Sequence, residues 1–262
     1  MRGGNAASAA GSQRRMGVVH VHSSYSRDGR DAPELLHDFA VERGIGFVGL
    51  TDHAEDLQAE QWDEYVEHCR AASDAVVELI PGLEFRFAGH SGLHLLALGL
   101  KRWIAPRTPG EFVTMARGVA RLTIVAHPML AGYRIPEDVR VGIDAIEVWN
   151  ASYNTRYLPD PRAMRLLRDL QRARPEVVGV AGLDQHDCSN DRETRVVVRD
   201  ANGDPLEQMR RGAFENVGRT MRFDAAVSLS RARLGMLSAA RWAFDGVERV
   251  QDRAARSLRR SG

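Results

Sequence analysis

The 262 residues fit one large domain, because barrels of alternating strands and helices run to about 250 residues as a single unit. Hydrophobic residues make up 44% of the chain and charged residues 27%, ordinary globular usage that excludes disorder and collagen-like repeats. Thirty-six basic side chains against 35 acidic ones leave a net charge of +1, which argues against a dedicated nucleic-acid surface, and no apolar run reaches the roughly 18 residues of a membrane span.

Residues 1–15 are small, polar and basic, without the apolar core of a secretory signal, and are expected to form a disordered tail. From Met16 onward, apolar runs of strand length alternate with amphipathic stretches. The predicted strands are 16–21, 46–50, 76–80, 94–100, 122–126, 145–149 and 177–182; the predicted helices are 32–43, 58–75, 109–120 and 161–173. Continuous apolar strands separated by helices predict a parallel sheet buried on both faces. Seven of them within about 170 residues predict a closed or nearly closed barrel. A short strand at 195–198 and a helix around 205–212 follow. The tail carries Leu237, Ala240, Phe244, Val247, Ala254 and Leu258 at helical spacing, with arginines on its other face. The expected organisation is a tail (1–15), a barrel domain (16–228) and a helical extension packed on it (229–262).

Cys69 and Cys188 are too few for a disulfide framework or a four-cysteine zinc site, and fit a reducing, cytoplasmic setting. Lys101 is the only lysine, a compositional bias that marks no single arginine as functional. Cys188 has no partner in sequence that would make it a nucleophile.

The histidines carry the main signal. His20 and His22 lie two apart at the end of the first strand, so they project from one face. His53 follows the second strand, Glu84 the third, His127 the fifth, and Asp184 and His186 the seventh. In a parallel barrel those ends converge on one mouth. Imidazoles and carboxylates meeting there without cysteine specify a divalent metal such as Zn, Mn or Fe, bound as a polynuclear site. His37 and His68 sit within helical stretches as surface or packing residues. Asp52 is placed to orient a ligand imidazole, Glu147 and Asn150 to line the pocket, and Trp149 equally well in the core.

The segments HVHSSYSRDG (20–29), LTDH (50–53), PGLEF (81–85), AHP (126–128) and GLDQH (182–186) resemble the ordered motifs of the PHP (polymerase and histidinol phosphatase) superfamily. The resemblance runs from about residue 17 to 225. It implies a distorted (β/α)7 barrel with up to three divalent metals at the C-terminal mouth of the strands. By motif, His20, His22, Glu84 and Asp184 hold one metal; Glu84 bridges to a second, completed by His94 and His127; Asp28, His53 and His186 hold the third. His94 enters its strand instead of leaving it, and His90 is its rival four residues earlier. Asp28 stands where some members carry histidine, which favours Mn or Fe there.

The same resemblance implies metal-dependent phosphoester hydrolysis, with Glu84, Asp184 and His186 in the catalytic roles and a metal-bridged hydroxide as nucleophile. The expected substrate is a small phosphomonoester. Arg86, Arg134 and Arg156 each follow a strand that opens on the mouth, and Arg134 and Arg156 are chosen as its phosphate contacts. The alternatives are a nuclease or phosphodiesterase acting on nucleotides or single strands, a non-catalytic metal-binding module, and an amidohydrolase-like cleavage of a C–N bond.

Overall fold

Local chemistry sets where several helices begin. Thr108, Asp160 and Asp204 each accept a backbone N–H with their side chains, and each is followed by proline in the first helical turn. The computed structural model describes residues 14–154, 157–226 and 229–244. In chain order the elements are β1 (Arg15–Val21), α1 (Pro33–Glu42), β2 (Phe47–Leu50), β3 (Asp52–His53), α2 (Trp62–Ala71), β4 (Glu78–Ile80), β5 (Gly82–Arg86), β6 (His94–Leu98), α3 (Pro109–Ala116) and β7 (Leu122–Ala126). There follow α4 (Glu137–Arg140), β8 (Ala145–Asn150), α5 (Pro161–Gln171), β9 (Val178–Gly182), β10 (Arg195–Val198), α6 (Pro205–Arg210), β11 (Phe214–Val217) and β12 (Arg222–Asp224). Residues 231–244 are helical.

The fold is mixed α/β and has two six-stranded sheets, ordered β12-β11-β10-β1-β2-β4 and β3-β5-β6-β7-β8-β9. This corrects the expectation of one all-parallel sheet. β1, β2 and β4 are parallel, as are β7, β8 and β9, but β6 runs antiparallel to both neighbours. Residues 87–93, which join β5 to β6, contain no helix and are too short for a crossover, so the chain must turn back. β10, β11 and β12 form an antiparallel meander on β1, of which only the first strand was expected.

The two sheets are bonded along both flanks. β2 and β3 are separated only by Thr51, and β4 and β5 only by Pro81, so this strand pair runs through both sheets. On the other flank the chain leaving β9 pairs with β1: the N–H groups of Leu183 and Gln185 donate to Val19 and His20, and that of His22 donates to Gln185 at 2.8 Å.

Strands buried on both faces feed two apolar clusters. In β6, Leu95 and Ala97 join a large cluster with the helices, while Leu96 and Leu98 join a smaller one with Val19, Phe47, Ile124, Val180 and Phe214. The tail boundary differs slightly from expectation. Residues 1–13 lie outside the described residues, but Arg15 already stands in β1, held by Glu78 and the carbonyl of Gly46. In the extension, Leu229, Leu234 and Leu237 are buried in the large cluster and the Phe244 ring lies 5.2 Å from that of Tyr157. Val247, Ala254 and Leu258 lie outside the described residues. No helix among the described residues is long and apolar enough to cross a membrane.

Candidate metal centre

All nine residues expected as ligands converge. They form four overlapping groups whose ligand atoms lie within 4.8 Å of one another: His22, Asp28, His53 and His186; His20, His127 and Asp184; His20, His22 and Glu84; and Glu84, His94 and His127. Six of the nine (His20, His22, His53, Glu84, His127 and Asp184) are buried, His94 and His186 are half-buried, and Asp28 is exposed at the rim. Glu84 is the hub: its carboxylate lies 2.7 Å from His94 Nδ1, 3.0 Å from His53 Nδ1 and 3.3 Å from His127 Nε2.

The reversal of β6 explains His94. Because this strand runs backward, its first residue pairs with Arg86 and Ala126, at the exits of β5 and β7. Entering β6 therefore places His94 beside the ends of its neighbours. His90 is exposed and lines a separate cleft with Arg134.

β1 brings its histidines inward by breaking its own alternation. Val18 and Val21 both pack in the large cluster while Val19 packs in the small one, and the β1–β2 register shifts between Val19 and Val21. His20, inserted there with φ of +63°, re-aims the strand as a bulge does. An unbroken strand would put His20 and His22 on the face of Val18. His127 and Asp184 also have positive φ, at +21° and +52°. Backbone held in this region concentrates where surrounding structure fixes side chains for function.

Neighbouring groups orient the imidazoles. His20 Nδ1 lies 2.7 Å from Glu147, whose other oxygen accepts the His127 N–H and the Asn150 side-chain amide. His22 Nδ1 lies 3.3 Å from Ser26 Oγ, and Ser26 donates to buried Asp52 at 2.7 Å. Asp52 thus acts on an imidazole through serine, while Glu147 is more than pocket lining. A carboxylate inside the apolar run AIEVW was the signal for it, since burial there demands donors.

Among the described residues, His20 Nε2, His22 Nε2 and His127 Nδ1 are buried without a hydrogen-bond partner, at a typical cost of about 1–3 kcal/mol each. Burial opposes ionisation of Glu84, but His127, His20, His53 and His94 outweigh it and hold its pKa well below the usual carboxylate value. Asp184 is also lowered against burial, mainly by His20 and His22. Burial alone would lower His20, yet Glu147 and Asp184 raise it well above the usual imidazole value. Ionised carboxylates beside unpartnered imidazole nitrogens, without cysteine, form a donor set suited to divalent cations.

The arginines differ from expectation. Arg134 is exposed on the cleft with His90, and Arg156 lies outside the described residues. Arg86, weighed but not chosen, reaches the cluster: its guanidinium lies 3.0 Å from His53 Nε2 and pairs with Glu55 at 3.4 Å. Two residues past Glu84 on β5, it projects from the same face of the strand. Cys188 has its thiol pushed up to about 12 by burial and Asp31, consistent with no nucleophilic role. His68 bonds Tyr25 and Glu34, His37 faces Asp38 and Asp74, and Trp149 is buried in the core.

Residues 19–133 match the model of the PHP domain family, which bears out the resemblance; the GLDQH motif (182–186) lies beyond the matched residues. Among solved structures, the chain is similar to a two-domain protein from Bacteroides vulgatus described as containing a predicted PHP-like metal-dependent phosphoesterase. That match has a TM-score of 0.58 and 18% identity, over 88% of this chain and 71% of that one. It is also similar to a proposed metal-dependent phosphoesterase from Bifidobacterium adolescentis, with a TM-score of 0.48 and 17% identity over 66% of this chain and 88% of that one. An amidohydrolase from Chromobacterium violaceum with bound sulfate and no metal gives 0.44 and 14%, over 64% and 87%. No curated protein matches the sequence.

Proposed function

We propose that this chain, whose residues 19–133 carry a PHP domain, is a metal-dependent phosphoesterase that removes phosphate from a small phosphomonoester. One observation carries the reading: nine histidine, aspartate and glutamate side chains from both sheets meet in four overlapping groups, two of which contain Glu84. In this reading the two sheets, bonded along both flanks, act as one distorted seven-stranded barrel with the cluster at its mouth.

His20, His22, Glu84 and Asp184 would hold one cation, Glu84 with His94 and His127 a second, and Asp28, His53 and His186 a third. Zn, Mn or Fe bound there supplies Lewis acidity toward phosphoryl oxygens and an acidified water. The chain's own residues do the rest. Glu147 fixes the His20 tautomer by accepting from Nδ1, so Nε2 faces the cluster. Ser26 and Asp52 constrain His22 in the same way. Arg86, at the rim beside His53, is the guanidinium placed to hold a phosphate oxygen in its planar fork.

The test is phosphate release from a panel of phosphorylated metabolites by chelator-stripped protein with Mn, Zn or Fe added back. Release restored by metal on a few related monoesters is expected. Faster cleavage of linear single-stranded DNA than of any monoester would move the assignment to a nuclease. Silence with no metal bound would sink the reading altogether.

A further inference from the structure

Asp28 is the exposed residue of the cluster, and among the described residues its carboxylate meets only His53, at 3.3 Å, and His186, at 3.5 Å. Its direction is therefore set by the loop that carries it, residues 23–29. Two successive turns build that loop. The Ser26 N–H donates to the Ser23 carbonyl at 3.0 Å, and the Gly29 N–H donates to the Ser26 carbonyl at 3.1 Å. The turns pack so closely that a Cβ on Gly29 would overlap the Ser23 carbonyl, which couples Tyr25 in the first turn to Asp28 in the second.

The inner face of the loop is held by Asp52, which accepts from the Ser23 N–H at 2.8 Å and from the Ser23 and Ser26 hydroxyls at 2.7 Å. The outer face is held through Tyr25. Its ring packs against that of buried Tyr65 at a centroid distance of 4.8 Å, and its hydroxyl lies 3.0 Å from His68 Nδ1. Tyr65 and His68 are three apart on α2 and so share one helix face. His68 Nε2 in turn lies 2.7 Å from the carboxylate of Glu34, in the first turn of α1. The Glu34 carboxyl is held below its usual value by its own backbone N–H and by His68. An ionised carboxylate only accepts, so the neutral imidazole carries its proton on Nε2 and leaves Nδ1 to accept the Tyr25 O–H. An ordered chain thus runs from two helices to the loop, and none of its three residues belongs to the cluster.

We propose that Tyr25 and His68, the latter oriented by Glu34, are positioning residues for the third cation, clamping the loop so that Asp28 stands opposite His53 and His186. The inference rests on the metal-dependent reading above, and it is tested by metal binding instead of turnover. Chelator-stripped wild type, Tyr25→Phe and His68→Ala are titrated with Mn by calorimetry, with elemental analysis of the loaded proteins. Tyr25→Phe keeps the ring against Tyr65 and removes only the hydroxyl, which separates the clamp from packing. Wild type is expected to take three ions. In both variants one of the three is expected to weaken by about tenfold while the other two keep their affinity. Asp28→Asn is expected to weaken the same ion, and adding Tyr25→Phe to it to cost less than the sum of the two separate losses. Wild-type affinity for all three ions in both variants, equal weakening of all three, or fully additive losses in the double variant would each overturn the clamp. If three ions bind but no phosphoester is hydrolysed, the phosphoesterase reading fails while the titration still decides the clamp. A wild type holding only two ions would overturn the clamp along with its site; one holding none would sink the metal reading and the clamp together.

Discussion

An imidazole that ligates through one nitrogen is oriented when a neighbour holds the other, and here that neighbour differs from residue to residue. His20 leans on Glu147, His22 on Ser26, and His186 Nδ1 on the backbone oxygen of Asp184 at 3.2 Å. Glu147 has the heaviest task, because its two oxygens meet three donors: His20, the His127 N–H and Asn150. An amide in its place keeps the shape but offers one acceptor oxygen and turns an NH2 toward a donor. Glu147→Gln is therefore expected to weaken metal binding by about 10–100-fold, read by chelator competition, with the circular dichroism spectrum retained. Unchanged affinity would show that Glu147 does not orient His20. The ligands themselves were legible as residue types at strand ends. Glu147 was legible only as a pocket-lining carboxylate, because a carboxylate inside a strand reveals its partners only after folding.

Two departures from regular strand geometry build the site. The bulge at His20 turns two histidines toward the cluster, and the reversal of β6 delivers His94. His94→Ala is expected to lose metal from one site, while His90→Ala, in an exposed loop, keeps full content by elemental analysis. The reverse result would mean that the wrong histidine faces the cluster. A third device ties α1 to the chain ahead of β10: Asp191 pairs with Arg43 just past α1 and with Arg195 at 2.7 Å. Burial opposes ionisation of Asp191, but Arg195 and Arg43 outweigh it and lower its pKa. A depressed carboxylate stabilises the fold above its unfolded value of about 3.9, and this is lost as pH falls through the lower folded value. Asp191→Asn is thus expected to lower Tm at pH 7 and to converge on wild type as pH falls through the depressed folded value. A gap in Tm that persists at low pH would show that charge is not the cause.

At the scale of the whole molecule, the cluster draws on β1, β3, β5, β6 and the segments after β7 and β9, so cations held there would fasten both sheets together. Ligand at a hundredfold excess over Kd stabilises by about 2.7 kcal/mol per site, or about 5–10 °C in Tm for a domain of this size. Chelation is expected to lower Tm by at least that amount and metal to restore it; an unchanged Tm would mean that no tight site exists. Sequence by itself determined much of this. Apolar runs marked the seven main strands, because continuous burial requires them, and the ordered motifs contain eight of the nine residues of the cluster, with His94 outside them. The direction of β6, the split into two sheets and the β11–β12 hairpin were decided by tertiary structure, since an apolar run reads the same in a parallel or an antiparallel sheet. The same limit explains the arginines. Adjacency in sequence pointed to Arg134, whereas the pairing of β5 with β6 placed Arg86 at the rim. Which guanidinium faces a cluster depends on neighbours distant in the chain, and only the folded chain brings those neighbours together.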